Sequence, residues 1–139
     1  MRHRSAWVAA ALSGLVMVMA GAFGAHGLEG RISASLLEAF ETGVRYQAWH
    51  TLAILGVLIW RQQMPLKGQS LVLGLWGAGI VLFSGSLYLL ALAGTRGLGM
   101  ITPLGGLLLM AGWLMLAITA WRAKAPTDRA SQSSRSGRA

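Results

Sequence analysis

Long apolar stretches alternate with short polar segments along this chain. Residues 7–25, 71–93 and 98–121 contain no charged side chain, and each stretch covers 19 or more residues. About 20 helical residues cross the roughly 30 Å hydrocarbon core of a bilayer. A fourth stretch, residues 48–60, is shorter but becomes long enough if its helix begins near Ser35. The pattern predicts an all-α fold, an integral membrane bundle of four helices.

Local signals indicate where these helices begin and end. The first is expected at about residues 5–25, the second at about 36–60 and the third from 69 or 70 to 94. Ser35 and Glu38 have the spacing of a capping box at the start of the second helix. Thr102 and Pro103 favour an N-cap followed by proline at the first helical position. Residues 94–99 are expected to form a short outer turn.

Composition supports a membrane domain and a separate tail. Apolar residues make up 55% of the chain and charged residues 12%, about half the charged share of a soluble globular domain. Residues 1–124 are therefore assigned to the transmembrane domain. Residues 125–139 are rich in Ser, Arg and Ala without apolar periodicity, so they are predicted to form a disordered basic cytoplasmic tail. With no cysteine, the chain has no disulfide and no thiolate site.

The distribution of positive charge predicts the orientation. The formal net charge is +8, but the basic residues flank the apolar segments, which favours contact with lipid headgroups and not with nucleic acid. A cytoplasmic N-terminus places nine Lys and Arg residues inside and at most three outside. Positive residues favour the cytoplasmic side, so both termini are expected there, and an even number of spans is required.

The first apolar segment also has some features of a cleaved signal peptide. Arg2 and Arg4 give it a basic start, and Ala20 and Ala22 are small residues of the type that precedes a cleavage site. The apolar run is longer than a usual signal core and no soluble domain follows, so a retained span is preferred.

Nineteen glycines in so apolar a chain need an explanation. Small residues let helix backbones approach closely in lipid, where apolar burial contributes little to helix association. Gly14 and Gly21 lie on one face of the first helix, and Gly21 with Ala25 and Gly74 with Ala78 have small-xxx-small spacing. We expect these positions to pack within the bundle, with a dimer face as the alternative.

The second helix carries the polar residues that bear on function. Counted back from Arg61 at 1.5 Å per residue, His50 lies roughly 16 Å into the membrane and Arg45 roughly 24 Å. Glu41 and Arg45 are spaced i, i+4 with the acid first, which favours an ion pair at the outer interface. Tyr46 and His50 lie on nearly the opposite side of the helix, toward the bundle.

His50, Tyr46, Ser84 and Tyr88 form the candidate polar membrane site. An ionisable group at membrane depth is a functional candidate because its burial is costly. Two roles stay open for His50: a neutral imidazole bonded to a polar group on another helix, or a group that serves a ligand, a proton or a substrate. For Glu41 and Arg45, a structural role at the interface is preferred.

Neither a cofactor nor a metal is expected. His26 and His50 differ in depth by about 12 Å, which argues against both serving one haem. Zinc needs three or four converging ligands, and these histidines with Glu41 do not obviously converge. No phosphate-binding loop, nucleophile elbow or Ser/His/Asp set is present, so no enzymatic activity is predicted.

Four motifs resemble one known family. They occupy residues 21–28, 40–50, 82–90 and 99–106, and together they resemble the YgdD-type family of small inner-membrane proteins, a domain-of-unknown-function family. The resemblance covers roughly residues 7–121. It implies a four-helix, multi-pass protein of the bacterial inner membrane, and it implies no reaction.

Two functional hypotheses follow. The first is a non-enzymatic structural, assembly or partner-binding role in the lipid bilayer, with a second copy or another membrane protein as partner. The second is a small transporter or binder of a lipophilic ligand that uses the polar groups of helices 2 and 3. The two differ in whether a polar cavity reaches His50.

Overall fold

The computed structural model describes residues 4–94, 97 and 100–123, and within them the fold is all-α. Four long helices follow one another, and a π-helical turn, Gly24–Leu28, extends the first. Their bounds are α1 Arg4–Phe23, α2 Ala34–Gln63, α3 Gln69–Ala93 and α4 Ile101–Trp121. The predicted tail and most of the predicted outer turn lie outside the described residues.

Three of the helical segments are long and apolar enough to cross a membrane: α1 with its π-helical turn, α3 and α4. The remaining helix, α2, is 30 residues and therefore about 45 Å long. It carries four charged residues, Glu38, Glu41, Arg45 and Arg61, whereas the other three helices together carry one, Arg4. Its length nevertheless exceeds what a bilayer crossing requires.

Helices that are neighbours in the chain are also neighbours in space. Extensive contacts join α1 to α2, α2 to α3 and α3 to α4 among the elements described. The core lies where α2, α3 and α4 meet, with Val72 and Trp76 fully buried. Only Ala10 of α1 is buried, so this helix presents most of its apolar surface outward, as expected of a helix in lipid.

The start of α2 differs from the capping-box prediction. Its N-cap is Ser33, whose backbone is extended and whose hydroxyl accepts a hydrogen bond from Leu36 N at 3.4 Å. Ser35 lies in the first turn, and its hydroxyl is 3.2 Å from that of Ser33. The hydroxyl that caps α2 thus belongs to Ser33, two residues before the predicted Ser35, and the prediction of a Ser35 cap was wrong.

The end of α3 agrees with the sequence prediction, whereas the start of α4 does not. Gly94 follows α3 in the left-handed conformation, at φ 63°, and its amide bonds to Leu90 O. The fourth helix begins at Ile101, so Thr102 and Pro103 lie inside its first turn. Thr102 does not cap the helix, because its hydroxyl instead bonds to that of Ser86 on α3 at 2.7 Å.

A glutamine closes the connection between α2 and α3. Gln69 is completely buried, its amide nitrogen donates to Met64 O at 3.1 Å, and its amide oxygen accepts from Leu66 N at 2.9 Å. Gly68 precedes it at φ 111°, a conformation that favours glycine. This short connection holds the two helices side by side.

The close contacts between helices occur at other glycines than those predicted. A Cβ on Gly74 or Gly14 would meet no atom within 4 Å, and a Cβ on Gly21 would make an ordinary contact with Val44 at 3.6 Å. A Cβ on Gly105 would instead collide with the backbone of Phe83. The packing prediction was therefore wrong for Gly74, which is exposed.

Candidate functional site

One face of α2 carries three buried polar side chains. Gly43, Gln47, His50 and Thr51 recur at intervals of three or four residues, which places them along one side of a helix. All four are buried. The face they form meets α1 at one edge and α3 with α4 at the other.

His50 has a hydrogen-bond partner on each ring nitrogen. Nδ1 lies 2.7 Å from the backbone oxygen of Tyr46, and Nε2 accepts from Trp113 Nε1 at 3.0 Å. An indole nitrogen only donates and a carbonyl oxygen only accepts. Nδ1 must therefore carry the hydrogen, and the two partners together match the neutral imidazole.

Aromatic rings surround this imidazole. Trp76 of α3 and Trp113 of α4 each lie edge-on to it, with ring centroids 6.0 Å away. Tyr46 lies nearly parallel to it at 6.1 Å and also contacts Phe83 at 4.8 Å. His50 thus points into the bundle, toward both α3 and α4, and is only 4% exposed.

A second set of polar groups centres on Gln47. Its amide oxygen accepts from the Tyr88 hydroxyl at 2.7 Å, and its amide nitrogen donates to Ser13 O at 2.9 Å. The hydroxyl of Ser13 in turn bonds to that of Thr51 at 2.7 Å. One continuous chain of hydrogen bonds therefore joins α3, α2 and α1. In lipid, which supplies no hydrogen-bond partners, such a chain satisfies every group that takes part in it.

The four predicted site residues belong to separate interactions. Tyr46 and His50 share one aromatic environment, and Tyr88 belongs to the Gln47 chain. Ser84 donates to the backbone oxygen of Gly43 at 2.7 Å. Neither Ser84 nor Tyr88 bonds to His50, so the structure assigns the partner of His50 to α4 and not to the two residues proposed on α3.

Three residues that matter here were not predicted from the sequence: Gln47, Ser13 and Trp113. None of them is ionisable, and ionisable groups give the stronger signal at membrane depth. A signal was present for Gln47, which lies between Gly43 and Thr51 at helical spacing in a segment that the sequence predicted to lie at membrane depth. Nothing in the sequence pairs Trp113 with His50, since that contact depends on how α4 packs.

Glu41 and Arg45 lie together but do not form the predicted ion pair. Both are exposed, and both line a shallow pocket of about 300 Å³ formed with α1 residues and with Phe40 and Val44. Over the described part of the chain, no ion pair of 4.0 Å or less joins them. Exposed charges gain little from pairing and lose side-chain freedom by it, which explains the separation.

The described residues offer no group of three or more His, Cys, Asp or Glu side chains that could hold a metal ion. His26 lies exposed in the π-helical turn, whereas His50 is buried with both nitrogens occupied. The two histidines therefore occupy quite different environments.

An apolar groove opens between α2 and α4, beside His50 and the tryptophan rings that surround it. Its volume is about 410 Å³, and Trp76 of α3 forms its floor with its indole nitrogen donating to Leu109 O at 3.2 Å. The walls are Ala53, Gly56, Val57 and Trp60 from α2 with Trp113, Leu116 and Ala120 from α4. We call it the α2–α4 groove.

Comparison with known protein families assigns the chain to one of them. Residues 20–106 match the family described as a protein of unknown function, DUF423. The chain belongs to this family. The match begins near the end of α1 and extends into α4, so it includes all of α2 and α3 and the buried polar face.

Relatives of the DUF423 chain agree with this assignment. It is 46% identical over 114 residues to the UPF0382 membrane protein SH2409 of Staphylococcus haemolyticus, covering 81% of this chain and 91% of the relative. It is 43% identical over 111 residues to the UPF0382 membrane protein YwdK of Bacillus subtilis, covering 79% and 90%. The UPF0382 inner membrane protein YgdD of Escherichia coli K12 is 42% identical over 127 residues, covering 89% and 95%. No solved structure matches the chain.

These relatives confirm the resemblance found in the motifs and the membrane assignment. They are named as membrane proteins, and the DUF423 chain has three helical segments that could cross a bilayer. It is a membrane protein in contact with the lipid bilayer.

Proposed function

We propose that this protein is a non-enzymatic, multi-pass inner-membrane protein that acts by binding another membrane protein or a second copy of itself. The observation that carries the proposal is the closed polar face of α2. The polar side-chain groups of Gln47, His50 and Tyr88 are hydrogen-bonded to partners within the bundle. Groups engaged in this way hold helices in a fixed arrangement, and none is left to act on a substrate.

The surface proposed for the partner is the outer side of α1. This helix packs on α2 alone among its extensive contacts, and large apolar side chains cover its remaining sides. Val18 is 64% exposed and Met19 is 62% exposed. A helix bound on one side only has room for a neighbour on the other.

A transport role has less support. It relied on the polar groups of helices 2 and 3, and the side chains of Gln47, His50, Ser84 and Tyr88 already have hydrogen-bond partners within the bundle. The α2–α4 groove is apolar and runs beside the polar groups, without continuing through them.

Cross-linking in native membranes tests the assembly role. Because the chain contains no cysteine, a single Val18→Cys substitution gives a unique attachment point. We expect oxidation or a short bifunctional reagent to produce a heavier band from Val18→Cys and none from Ala10→Cys, whose position is buried against α2. A chain that stays monomeric at Val18, Met19 and Val16 alike would refute the proposed partner surface.

We also propose four membrane spans with both termini in the cytoplasm. The argument is the excess of Lys and Arg on that side together with the contacts of α2, which packs against α1 and α3 that are each long enough to cross. Glu29→Cys should then react with an impermeant maleimide in intact cells, whereas Gln63→Cys should react only after lysis. The reverse result would contradict this orientation.

A further inference from the structure

We propose that the α2–α4 groove binds one acyl chain of an anionic phospholipid, with the lipid phosphate held by Arg61 and Arg122. The site is distinct from the partner surface on α1. The inference therefore goes beyond the assembly role and can fail without it.

The length of the groove fits a lipid chain. Its α2 wall runs from Ala53 to Trp60, a rise of about 10 Å at 1.5 Å per residue. One leaflet contributes roughly 15 Å, half of the hydrocarbon core. A transmembrane helix of a partner would need a contact surface that extends through both leaflets, whereas a single acyl chain needs a surface in only one leaflet.

The groove opens sideways, toward the position of the surrounding lipid. Gly56 and Ala120 are small and exposed on its rims, and Trp113 is 48% exposed at its inner end. A lipid chain can thus enter laterally without any movement of the helices. Its floor, Trp76, is rigid because it is fully buried and bonded to α4.

The selectivity for an anionic headgroup comes from the charges at one end of the groove. Hydrocarbon chains elsewhere in the bilayer are as apolar as the groove, so apolar contact alone gives little preference. Arg61 lies one turn beyond Val57 on the same side of α2, and its guanidinium donates to Ser70 at 2.6 Å. That bond positions the group and uses one of its five donors.

Arg122 adds a second positive charge where α4 ends. It is the exposed C-cap residue of α4, at the same end of the bundle as Arg61, so its long side chain adds charge near that end of the groove. Guanidinium groups bind phosphate oxygens through paired hydrogen bonds. The acidic residues in the described part of the chain, Glu29, Glu38 and Glu41, all belong to the opposite end of the helices, so this end is purely basic there.

Native mass spectrometry of the full chain in detergent tests the proposal. Phosphatidylglycerol and phosphatidylcholine with identical acyl chains are added separately to the purified protein. We expect one molecule of phosphatidylglycerol to bind at least ten-fold more tightly than phosphatidylcholine. Arg122→Gln should reduce this preference, and Arg61→Gln together with Arg122→Gln should abolish it.

A pair of glycine variants isolates the groove. A Cβ added at Gly56 meets no protein atom within 4 Å, and Gly56 lines the groove, so Gly56→Phe introduces a bulky ring at an unobstructed position on its wall. Gly74→Phe is the matched control, because Gly74 is equally unobstructed on α3 and does not line the groove. We expect phosphatidylglycerol binding to fall ten-fold or more in Gly56→Phe and to remain unchanged in Gly74→Phe.

Two outcomes would overturn the lipid site. Equal binding of both lipids to the unaltered protein would remove the headgroup recognition. A lipid-free dimer that Gly56→Phe converts to monomer would assign the groove to a second copy. Neither outcome affects cross-linking at Val18, so the assembly role is judged separately.

Discussion

Trp113 on α4 donates a hydrogen bond to His50 on α2 at 3.0 Å, which joins two helices that otherwise frame an open groove. The imidazole is held at its other nitrogen by the backbone of its own helix. It therefore acts as a fixed acceptor for an indole that lipid could not satisfy.

Replacement of His50 should reveal this structural role. In His50→Ala the Trp113 N–H loses its acceptor in surroundings that offer no other, and a donor left unsatisfied away from water costs about 1–3 kcal/mol. His50→Gln keeps an acceptor oxygen near the indole and should retain part of the stability. Thermal unfolding in detergent, followed by circular dichroism, measures both. A His50→Ala protein as stable as the unaltered one would contradict the assignment and return this residue to a ligand-binding role.

Two glycines should respond in opposite ways to the same small change. Gly105→Ala should destabilise the α3–α4 contact, because its methyl group would collide with the Phe83 backbone, which cannot move aside. Overpacking of this kind costs typically about 1–3 kcal/mol. Gly74→Ala should leave the melting temperature unchanged or slightly raised, since alanine is the better helix former and the position is open. An equal loss of melting temperature in both variants would contradict the close contact between Gly105 and Phe83.

The Gln47 chain predicts a coupling between two side chains. Tyr88→Phe removes one donor and leaves the Gln47 amide oxygen unpaired, whereas Gln47→Leu leaves the Tyr88 hydroxyl without its acceptor and also removes the side-chain donor to Ser13 O. Gln47→Leu should therefore cost more. Hydrogen bonds between membrane helices average about 0.6 kcal/mol in double-mutant cycles. Denaturant unfolding of the two single variants and the double variant should give a coupling of that order, and strictly additive losses would argue against the bond.

Arg45 and Glu41 should show no such coupling. Both are exposed and unpaired with each other, so Arg45→Ala and Glu41→Gln should each shift the free energy of unfolding by about 0.5 kcal/mol or less. The double variant should show the sum of the two effects. The same unfolding assay measures this, at low salt where any attraction would be largest. If Glu41→Gln recovered the stability lost in Arg45→Ala, the two side chains would interact, as the sequence predicted.

The helices were predictable because their strongest signal is local. Residues 71–93 carry no charge, and α3 spans Gln69–Ala93 with a glycine cap at Gly94, close to expectation. The start of α2 was less certain from sequence, because Ser33 and Ser35 have equally suitable hydroxyl groups. Which one caps depends on where the preceding backbone becomes extended.

The inner faces of the helices were not predictable in the same way. Helices α3 and α4 are apolar all round, so no hydrophobic periodicity separates Gly105, which packs, from Gly74, which does not. For α2 the polar residues did mark the inner face, and His50 was placed correctly toward the bundle. Its partner was not, because the bond to Trp113 joins residues 63 positions apart and depends on the packing of α4.

The chain-order packing of the helices bears on how the protein is made. Each helix has its main partner immediately before or after it, so the contacts have low sequence separation, which favours rapid folding. Assembly in chain order would let α2 pack on α1, α3 on α2 and α4 on α3, with Trp113 reaching a histidine that is already in place. Each new helix would then meet its main partner as soon as it is made.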